Sequence, residues 1–198
     1  MKRALSTVIA LLAFPVFAEG TRTLDAHEHG VGELNIAIDG KTVAMELHAP
    51  GADIVGFEYA ATSAEDRAAI DAAVAILAKP LALFVLPAAA ACSVVMASAG
   101  LESDDDHDDH DDHDDHKDHD DHDNHDDHDD HDGASHTEFH AEYRLTCGNT
   151  DALTGIDFAY FSTFANAREL EVQIISASGA RAFEVERDAP QLDLRGMF

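Results

Sequence analysis

Apolar and polar residues alternate along the first third of the chain, as they do in strands that bury one face. The alternation covers residues 32–48 and is interrupted by Asp39-Gly40, a dipeptide typical of tight turns between paired strands. This pattern predicts a β-hairpin. Further strands are predicted near residues 83–86 and near 92–96. The first lies in a short apolar run between two prolines, which is closer to a buried strand than to a membrane-spanning segment.

Residues 64–78 have the composition of an amphipathic helix. Ser63 precedes them as an N-cap and Pro80 follows them as a stop. The apolar residues that share one helical face, and are therefore expected to be buried, are Ile70, Val74 and Leu77.

The C-terminal part repeats these themes less clearly. Residues 138–147 alternate as a strand, 151–158 predict a short helix or turn, and 170–175 with 182–185 predict a hairpin across Ser178-Gly179. The expected fold class is α+β: mainly antiparallel β-sheet with few helices, in one domain or in two small similar lobes. A faint likeness between residues 52–59 and 152–160 leaves internal duplication and chance similarity equally open.

The first eighteen residues have the features of a secretory signal peptide. Lys2 and Arg3 are followed by an apolar stretch and by Ala18, after which cleavage is expected. The alternative is an uncleaved anchor, but about fourteen apolar residues interrupted by Pro15 are fewer than the roughly 20 that a spanning helix needs. The protein is therefore predicted to be exported to the periplasm.

Two cysteines, Cys92 and Cys147, lie in the exported part. An even pair in an oxidising compartment favours one disulfide. The alternatives are two buried thiols or a thiolate metal site, although cysteines without a CxxC partner make poor zinc sites. A bridge is expected to hold together the base of the acidic segment between them and to contribute about 2 to 4 kcal/mol of stability.

The formal charge is −28, and loss of Lys2 and Arg3 with the signal peptide makes it −30. Residues 103–135 contain 18 Asp and one Lys, more than half of the net charge. Binding to nucleic acid or anionic lipid is therefore disfavoured, and cations are the expected partners. The predicted domains are a signal peptide (1–18), an N-terminal β-rich lobe with one helix (19–102), a disordered metal-binding loop (103–135) and a C-terminal β-rich lobe (136–198).

Residues 104–132 consist almost entirely of Asp and His, and we call them the His/Asp tract. Their carboxylates repel one another and offer no apolar surface for a core, so an expanded loop is predicted. Histidine occupies every third position of the tract, at His107, His110, His113, His116, His119, His122, His125, His128 and His131.

This spacing of imidazoles predicts divalent metal binding. Neutral imidazole is a ligand for zinc, nickel, copper and cobalt, and a cation relieves the repulsion between the carboxylates. Zn²⁺ is the leading candidate, followed by Ni²⁺, Cu²⁺ and Co²⁺. Ca²⁺ is disfavoured because it prefers oxygen ligands, and reduced copper because it prefers Met or Cys. Binding is expected to weaken below about pH 6, because protonated imidazole cannot ligate. The alternative is a polar spacer, which has no need of regular histidines.

Two groups of histidines flank predicted strands and are candidates for an ordered metal site. They are His27 with His29, and His136 with Glu138 and His140. In each group the spacing of two residues puts neighbouring ligands on one face of an extended chain. The alternative is ordinary surface histidines. His48 is interpreted as an ordinary strand-edge residue, and the solvated strand faces are expected to carry Glu33, Glu46, Glu142 and Glu171.

Several segments are distinctive when taken together: the His-Glu-His-Gly start at 27–30, the Pro-Gly-Ala-Asp-Ile-Val-Gly-Phe-Glu segment at 50–58, the Leu-Pro-x4-Cys passage ending at Cys92, the insert, and Phe-His-Ala-Glu-Tyr-Arg-Leu-Thr-Cys at 139–147. Together they resemble the ZrgA-like family of zinc-regulated periplasmic proteins. The resemblance implies a periplasmic zinc-binding protein used when zinc is scarce. It also implies a binding set of the tract histidines together with His27, His29, His136 and His140.

The sequence thus predicts a non-enzymatic zinc buffer or metallochaperone that passes the ion to an uptake transporter. Nucleotide, phosphate and hydrolase motifs are absent from the sequence. The alternative function is an exported copper/zinc enzyme of the superoxide dismutase type. Such a site needs more ordered histidines than the five outside the tract, and a redox assay with bound copper distinguishes the two.

Overall fold

The computed structural model describes residues 28–103 and 137–197. The predicted signal peptide, His27, the tract histidines and His136 lie outside the described residues. In chain order the elements are β1 (Val31–Asp39), β2 (Thr42–Pro50), α1 (Gly51–Ile54), α2 (Ala64–Leu77), α3 (Pro80–Leu83), β3 (Phe84–Val85), β4 (Cys92–Ser103), β5 (Thr137–Cys147), β6 (Gly155–Phe158), α4 (Tyr160–Thr163), β7 (Glu169–Ser176), β8 (Gly179–Glu186) and β9 (Gln191–Asp193).

A six-stranded sheet with the order β4-β5-β2-β1-β7-β8 forms the centre of the protein. Only the β1–β7 pair in this sheet is parallel, so the predicted fold class, mainly antiparallel β with few helices, is confirmed. Strands from both sides of the His/Asp tract share this sheet, because β5 pairs with β2 and β7 pairs with β1. The domain boundaries given above remain predictions.

The first predicted hairpin is confirmed. β1 and β2 pair from Asp39–Thr42 to Glu33–His48, and Gly40 in the turn has φ of 56°, a left-handed conformation that glycine adopts without strain. The second hairpin is also confirmed as β7 and β8, with Ser176 paired to Gly179 across the turn.

Alternation of side chains gives the six-stranded sheet two unlike faces. The covered face carries the hydrophobic core, and a second sheet of order β3-β6-β9 contributes residues to that core. The opposite face, which we call the open face, carries mainly polar side chains that are exposed or half-buried. The largest fully buried side chains include Tyr143, Tyr160, Phe84, Phe139, Phe158, Leu34, Leu47, Leu77, Leu83, Leu145, Leu170 and Ile174.

The predicted helix is confirmed as α2. The Ser63 side chain accepts a hydrogen bond of 2.9 Å from the Asp66 N–H, which satisfies one free donor of the first turn. Of the predicted helical face, Leu77 is fully buried, while Ile70 and Val74 are partly buried against the core.

Two local predictions were wrong in part. The apolar run after Pro80 begins as a helical turn, α3, and only Phe84–Val85 form a strand. Proline is well suited to the first turn of a helix, and this preference outweighed the strand pattern. Residues 151–158 start with a short 3-10 turn, Thr150–Ala152, but continue as strand β6, which pairs with β3 and β9.

The predicted disulfide is confirmed: Cys92 and Cys147 are bridged. Its position differs from the expectation that it holds the base of the tract. Cys92 pairs with Cys147 at one end of the β4–β5 ladder, and Ser103 pairs with Thr137 at the other end, where the tract leaves the sheet. The backbone ladder, rather than the bridge, therefore holds Ser103 and Thr137 together, the described residues on either side of the tract.

Within the part of the chain that the structure describes, no helix is both long and apolar enough to cross a membrane.

Candidate metal centre

Two Glu-x-His triplets lie on neighbouring strands of the sheet. β2 contains Glu46-Leu47-His48, and β5 contains Glu138-Phe139-His140. Successive residues of a strand point to opposite faces, so the central Leu47 and Phe139 are buried in the core. The glutamates and histidines of both triplets consequently lie on the open face.

The antiparallel register places the histidine ends of the two triplets opposite each other. His48 pairs directly with His140, and their ring centroids are 4.4 Å apart. Residues two positions away on the partner strand are diagonal neighbours, which places Glu46 beside His140 and Glu138 beside His48. Each histidine therefore contacts a glutamate of the other triplet: His140 Nε2 lies 3.1 Å from Glu46 Oε1, and His48 Nδ1 lies 3.5 Å from Glu138 Oε2.

Glu46 lies between the two rings. Its Oε1 is 3.1 Å from His140 Nε2 and 3.3 Å from His48 Nε2, and one ligand atom from each of the three residues lies within 4.8 Å of the others. Ligand bonds of roughly 2.0 to 2.2 Å in a tetrahedral zinc site leave neighbouring ligand atoms about 3.3 Å apart. The three side chains thus have donor types that suit zinc, and the two separations from Glu46 are close to that value. We call Glu46, His48 and His140 the metal-site triad.

The outer nitrogen of each ring has a carboxylate partner of its own. His48 Nδ1 contacts Glu138, as described, and His140 Nδ1 lies 3.4 Å from Glu102 Oε1. Both carboxylates lie at the end of the β4–β5 pair from which the tract leaves, where Glu102 pairs with Glu138. Each imidazole is therefore held between two glutamates.

The triad is partly sheltered from solvent: the side chains of Glu46, His48 and His140 are 34%, 22% and 20% exposed. Burial opposes ionisation of Glu46, but hydrogen bonds with His140 and His48 outweigh it and lower the pKa of the carboxyl. The hydrogen bond with Glu138 outweighs the opposing effect of burial and raises the pKa of His48. An anionic carboxylate between two imidazoles is an arrangement that favours a cation.

Comparison with known protein families gave a match that covers most of the chain. The family model described as ZrgA family zinc uptake protein matches residues 26–194. The chain belongs to the ZrgA family. The match covers both Glu-x-His triplets and the whole of the sheet described above. A search of curated proteins found no match.

The structure separates the histidines that the sequence proposed for an ordered site in this ZrgA-family chain. His140 is in the triad and Glu138 contacts His48, whereas the exposed His29 ring lies 3.0 Å from Glu58. Among residues 28–103 and 137–197, His29 is not part of a group of three or more metal-ligating side chains. His27, His136 and the nine tract histidines lie outside the described residues, and their role as ligands stays a prediction.

Sequence reasoning missed two members of the triad. His48 was interpreted as an ordinary strand-edge residue, but β2 is an interior strand between β1 and β5. Glu46 was assigned to a solvated face, yet it is half-buried between two rings, while Glu33, Glu142 and Glu171 are exposed as expected. The repeated Glu-x-His triplet was the available signal, because two such strands can pair in an antiparallel register that places the histidines opposite each other.

Proposed function

We propose that this ZrgA-family protein binds Zn²⁺ in the periplasm and acts as a zinc buffer or metallochaperone in zinc acquisition. The observation that carries the proposal is the metal-site triad, whose three donor atoms lie within 4.8 Å of one another. Membership of a zinc uptake family supports the same conclusion from the sequence. The cargo is the ion itself, and the role is binding rather than catalysis.

The position of the triad suits uptake and release of an ion. A closed structural zinc site uses four protein ligands, whereas a site with three leaves a coordination position for water or an incoming ligand. Glu46, His48 and His140 supply three, and they lie on the open face of the sheet. A ligand from an acceptor protein can therefore approach the ion without unfolding of the core.

The His/Asp tract gives the protein its capacity for more than one ion. Its nine histidines and intervening carboxylates offer several interchangeable ligand sets, and each binding event must order the loop, which limits the affinity. The proposed division is between weaker sites in the tract and one tighter site in the triad. We further propose that a zinc uptake transporter component receives the ion.

The disulfide supports the periplasmic assignment. A disulfide joins Cys92 to Cys147, and disulfides persist in oxidising compartments such as the bacterial periplasm. The signal-like residues 1–18 lie outside the described part of the chain, so the cleavage site stays a prediction. N-terminal sequencing of protein recovered from periplasm is expected to start at Glu19.

Isothermal titration of the mature chain, residues 19–198, with Zn²⁺ tests the assignment of the two kinds of site. The wild-type protein is expected to bind more than one ion. The His48→Gln/His140→Gln variant is expected to lose the tightest class of site and keep the weaker ones, while deletion of residues 104–132 has the opposite effect. Glu142→Gln is the matched control, because Glu142 is an exposed glutamate of the open face that pairs with Glu46.

A wild-type chain that binds no zinc at neutral pH contradicts the proposed function. Equal zinc affinities in the double histidine variant and the Glu142→Gln control contradict the triad as the tight site. Superoxide consumption by the copper-loaded protein, abolished by His48→Gln/His140→Gln, contradicts the non-enzymatic role.

A further inference from the structure

The two imidazoles of the triad present the same nitrogen to Glu46. Nε2 of His140 and Nε2 of His48 both face Glu46 Oε1, at 3.1 and 3.3 Å. The Nδ1 atoms of the same rings face the other two glutamates, at 3.5 Å for Glu138 and 3.4 Å for Glu102. The site thus has an inner carboxylate on the Nε2 side and two outer carboxylates on the Nδ1 side.

We propose that Glu138 and Glu102 are positioning residues, which hold His48 and His140 with Nδ1–H directed at the outer carboxylates so that both rings bind the cation through Nε2. This inference rests on the proposed function. It gives Glu138 a different role from the direct ligand that the sequence indicated.

Imidazole chemistry supports this division of roles. A neutral ring carries one proton, and a metal ion can bind only the nitrogen that lacks it. When a cation occupies Nε2, the proton must be on Nδ1, where a carboxylate acceptor fixes the ring and makes it a better ligand. The two nitrogens of a ring point in diverging directions, so a carboxylate at Nδ1 is not placed to share an ion with Glu46 at Nε2.

The two outer carboxylates are expected to differ in strength. The Glu138 side chain is 13% exposed, whereas that of Glu102 is 71% exposed. When a carboxylate is sheltered from solvent, water competes less with it for the ring N–H, and its side chain has fewer alternative conformations. Glu138 is therefore expected to contribute more to zinc affinity than Glu102.

Zinc affinity of the tightest site, measured on the mature chain by competition with a chromophoric chelator, tests the strength of each residue. Glu138→Ala is expected to weaken this affinity about 10- to 100-fold, the range for loss of a carboxylate behind a ligating histidine. Glu138→Gln retains an acceptor oxygen and is expected to recover part of that loss. Glu102→Ala is expected to weaken the affinity less than Glu138→Ala does. Glu142→Ala is the control: it changes the charge of the same face equally and is expected to have almost no effect.

The position of the ring proton distinguishes a positioning role from a general effect on folding. Long-range ¹⁵N–¹H spectra of the ¹⁵N-histidine-labelled mature chain report which nitrogen is protonated, and the His48→Gln and His140→Gln variants assign the two rings. With one equivalent of Zn²⁺ we expect both rings to be bound through Nε2 and protonated at Nδ1.

Two results would overturn the inference while leaving the proposed function intact: zinc bound through Nδ1 of His48, or Glu138→Ala with the affinity of Glu142→Ala. If the His48 and His140 resonances do not respond to zinc at all, the triad is not the tight site and the inference fails with that assignment, whereas a chain that binds no zinc contradicts the proposed function itself.

Discussion

The two faces of the six-stranded sheet are built from the same strands but are subject to different constraints. Along β2 the buried Leu47 lies between Glu46 and His48, and along β5 the buried Phe139 lies between Glu138 and His140. On the covered face each side chain must fill space in a close-packed core. On the open face no packing requirement fixes the residue type, so side chains can be selected for chemistry.

The open face is itself not uniform. Glu142 and Glu171 are exposed to solvent, whereas the triad is half-buried next to Glu138. Shelter lowers the local dielectric and strengthens interactions between charges and their partners. The candidate site is thus the part of the open face where carboxylates contact histidines under partial burial, rather than the part with the most charge.

The largest effect is expected on the covered face. Leu47→Ala is predicted to lower the free energy of unfolding by about 2 to 5 kcal/mol, because it removes a fully buried side chain and leaves a cavity. Urea denaturation with excess chelator measures this change. The open-face control Glu142→Ala is expected to shift stability by no more than about 0.5 kcal/mol; equal losses in the two variants would contradict the assignment of the faces.

The disulfide is expected to have the next largest effect. It fastens β4, an edge strand whose described side chains are all exposed or only partly buried. Replacing both cysteines by serine is predicted to lower the free energy of unfolding by about 2 to 4 kcal/mol. The bridge lies at the end of the β4–β5 ladder remote from Glu102, so zinc affinity of the tightest site should change little. A large loss of affinity in a chain that remains folded would contradict this separation.

Asp53 is a buried carboxylate and provides the contrast with the open face. One of its oxygens accepts a hydrogen bond of 2.8 Å from the Gly30 N–H, and its other oxygen has no hydrogen-bond partner among the residues that the structure describes. Burial raises the pKa of Asp53, so the folded state binds its proton more readily than the unfolded state. The resulting stability is present at pH values below the ordinary pKa of aspartate and is lost as pH rises through the raised value.

Asp53→Asn retains an acceptor for Gly30 and removes the buried charge. The free energy of unfolding of this variant minus that of wild type is therefore expected to be larger, meaning more stabilising, at pH 7 than at pH 3. Asp53→Ala leaves the buried N–H without a partner and should destabilise by about 1 to 3 kcal/mol at either pH. Denaturation curves at the two pH values check both expectations, and a pH-independent effect of Asp53→Asn would mean that the carboxyl is not perturbed in the folded state.

Local patterns predicted much of the fold. Asp39-Gly40 between alternating runs indicated the first hairpin, and Ser63 marked the start of α2 because a hydroxyl satisfies a free N–H there. The two partly wrong segments, after Pro80 and at 151–158, are short. In such segments contacts with the rest of the protein outweigh the weak local preference.

The candidate site was only half predicted for a related reason. His140 and Glu138 were identified because both are on one strand, close in sequence and on one face. Glu46 and His48 belong to another strand, 90 residues or more away. Their contact depends on the β2–β5 register, which is not encoded in the spacing of either triplet.

The sequence by itself determined which residues of the long strands face the core, the position of the tight turns, and the presence of a tract rich in metal-ligating groups. These properties depend on neighbours within a few residues. Only the tertiary structure decided that β2 lies between β1 and β5 and that His48 pairs with His140. Strand order and register are set by the joint packing of all the apolar faces into one core, and a metal site assembled across two strands forms only when that packing is complete.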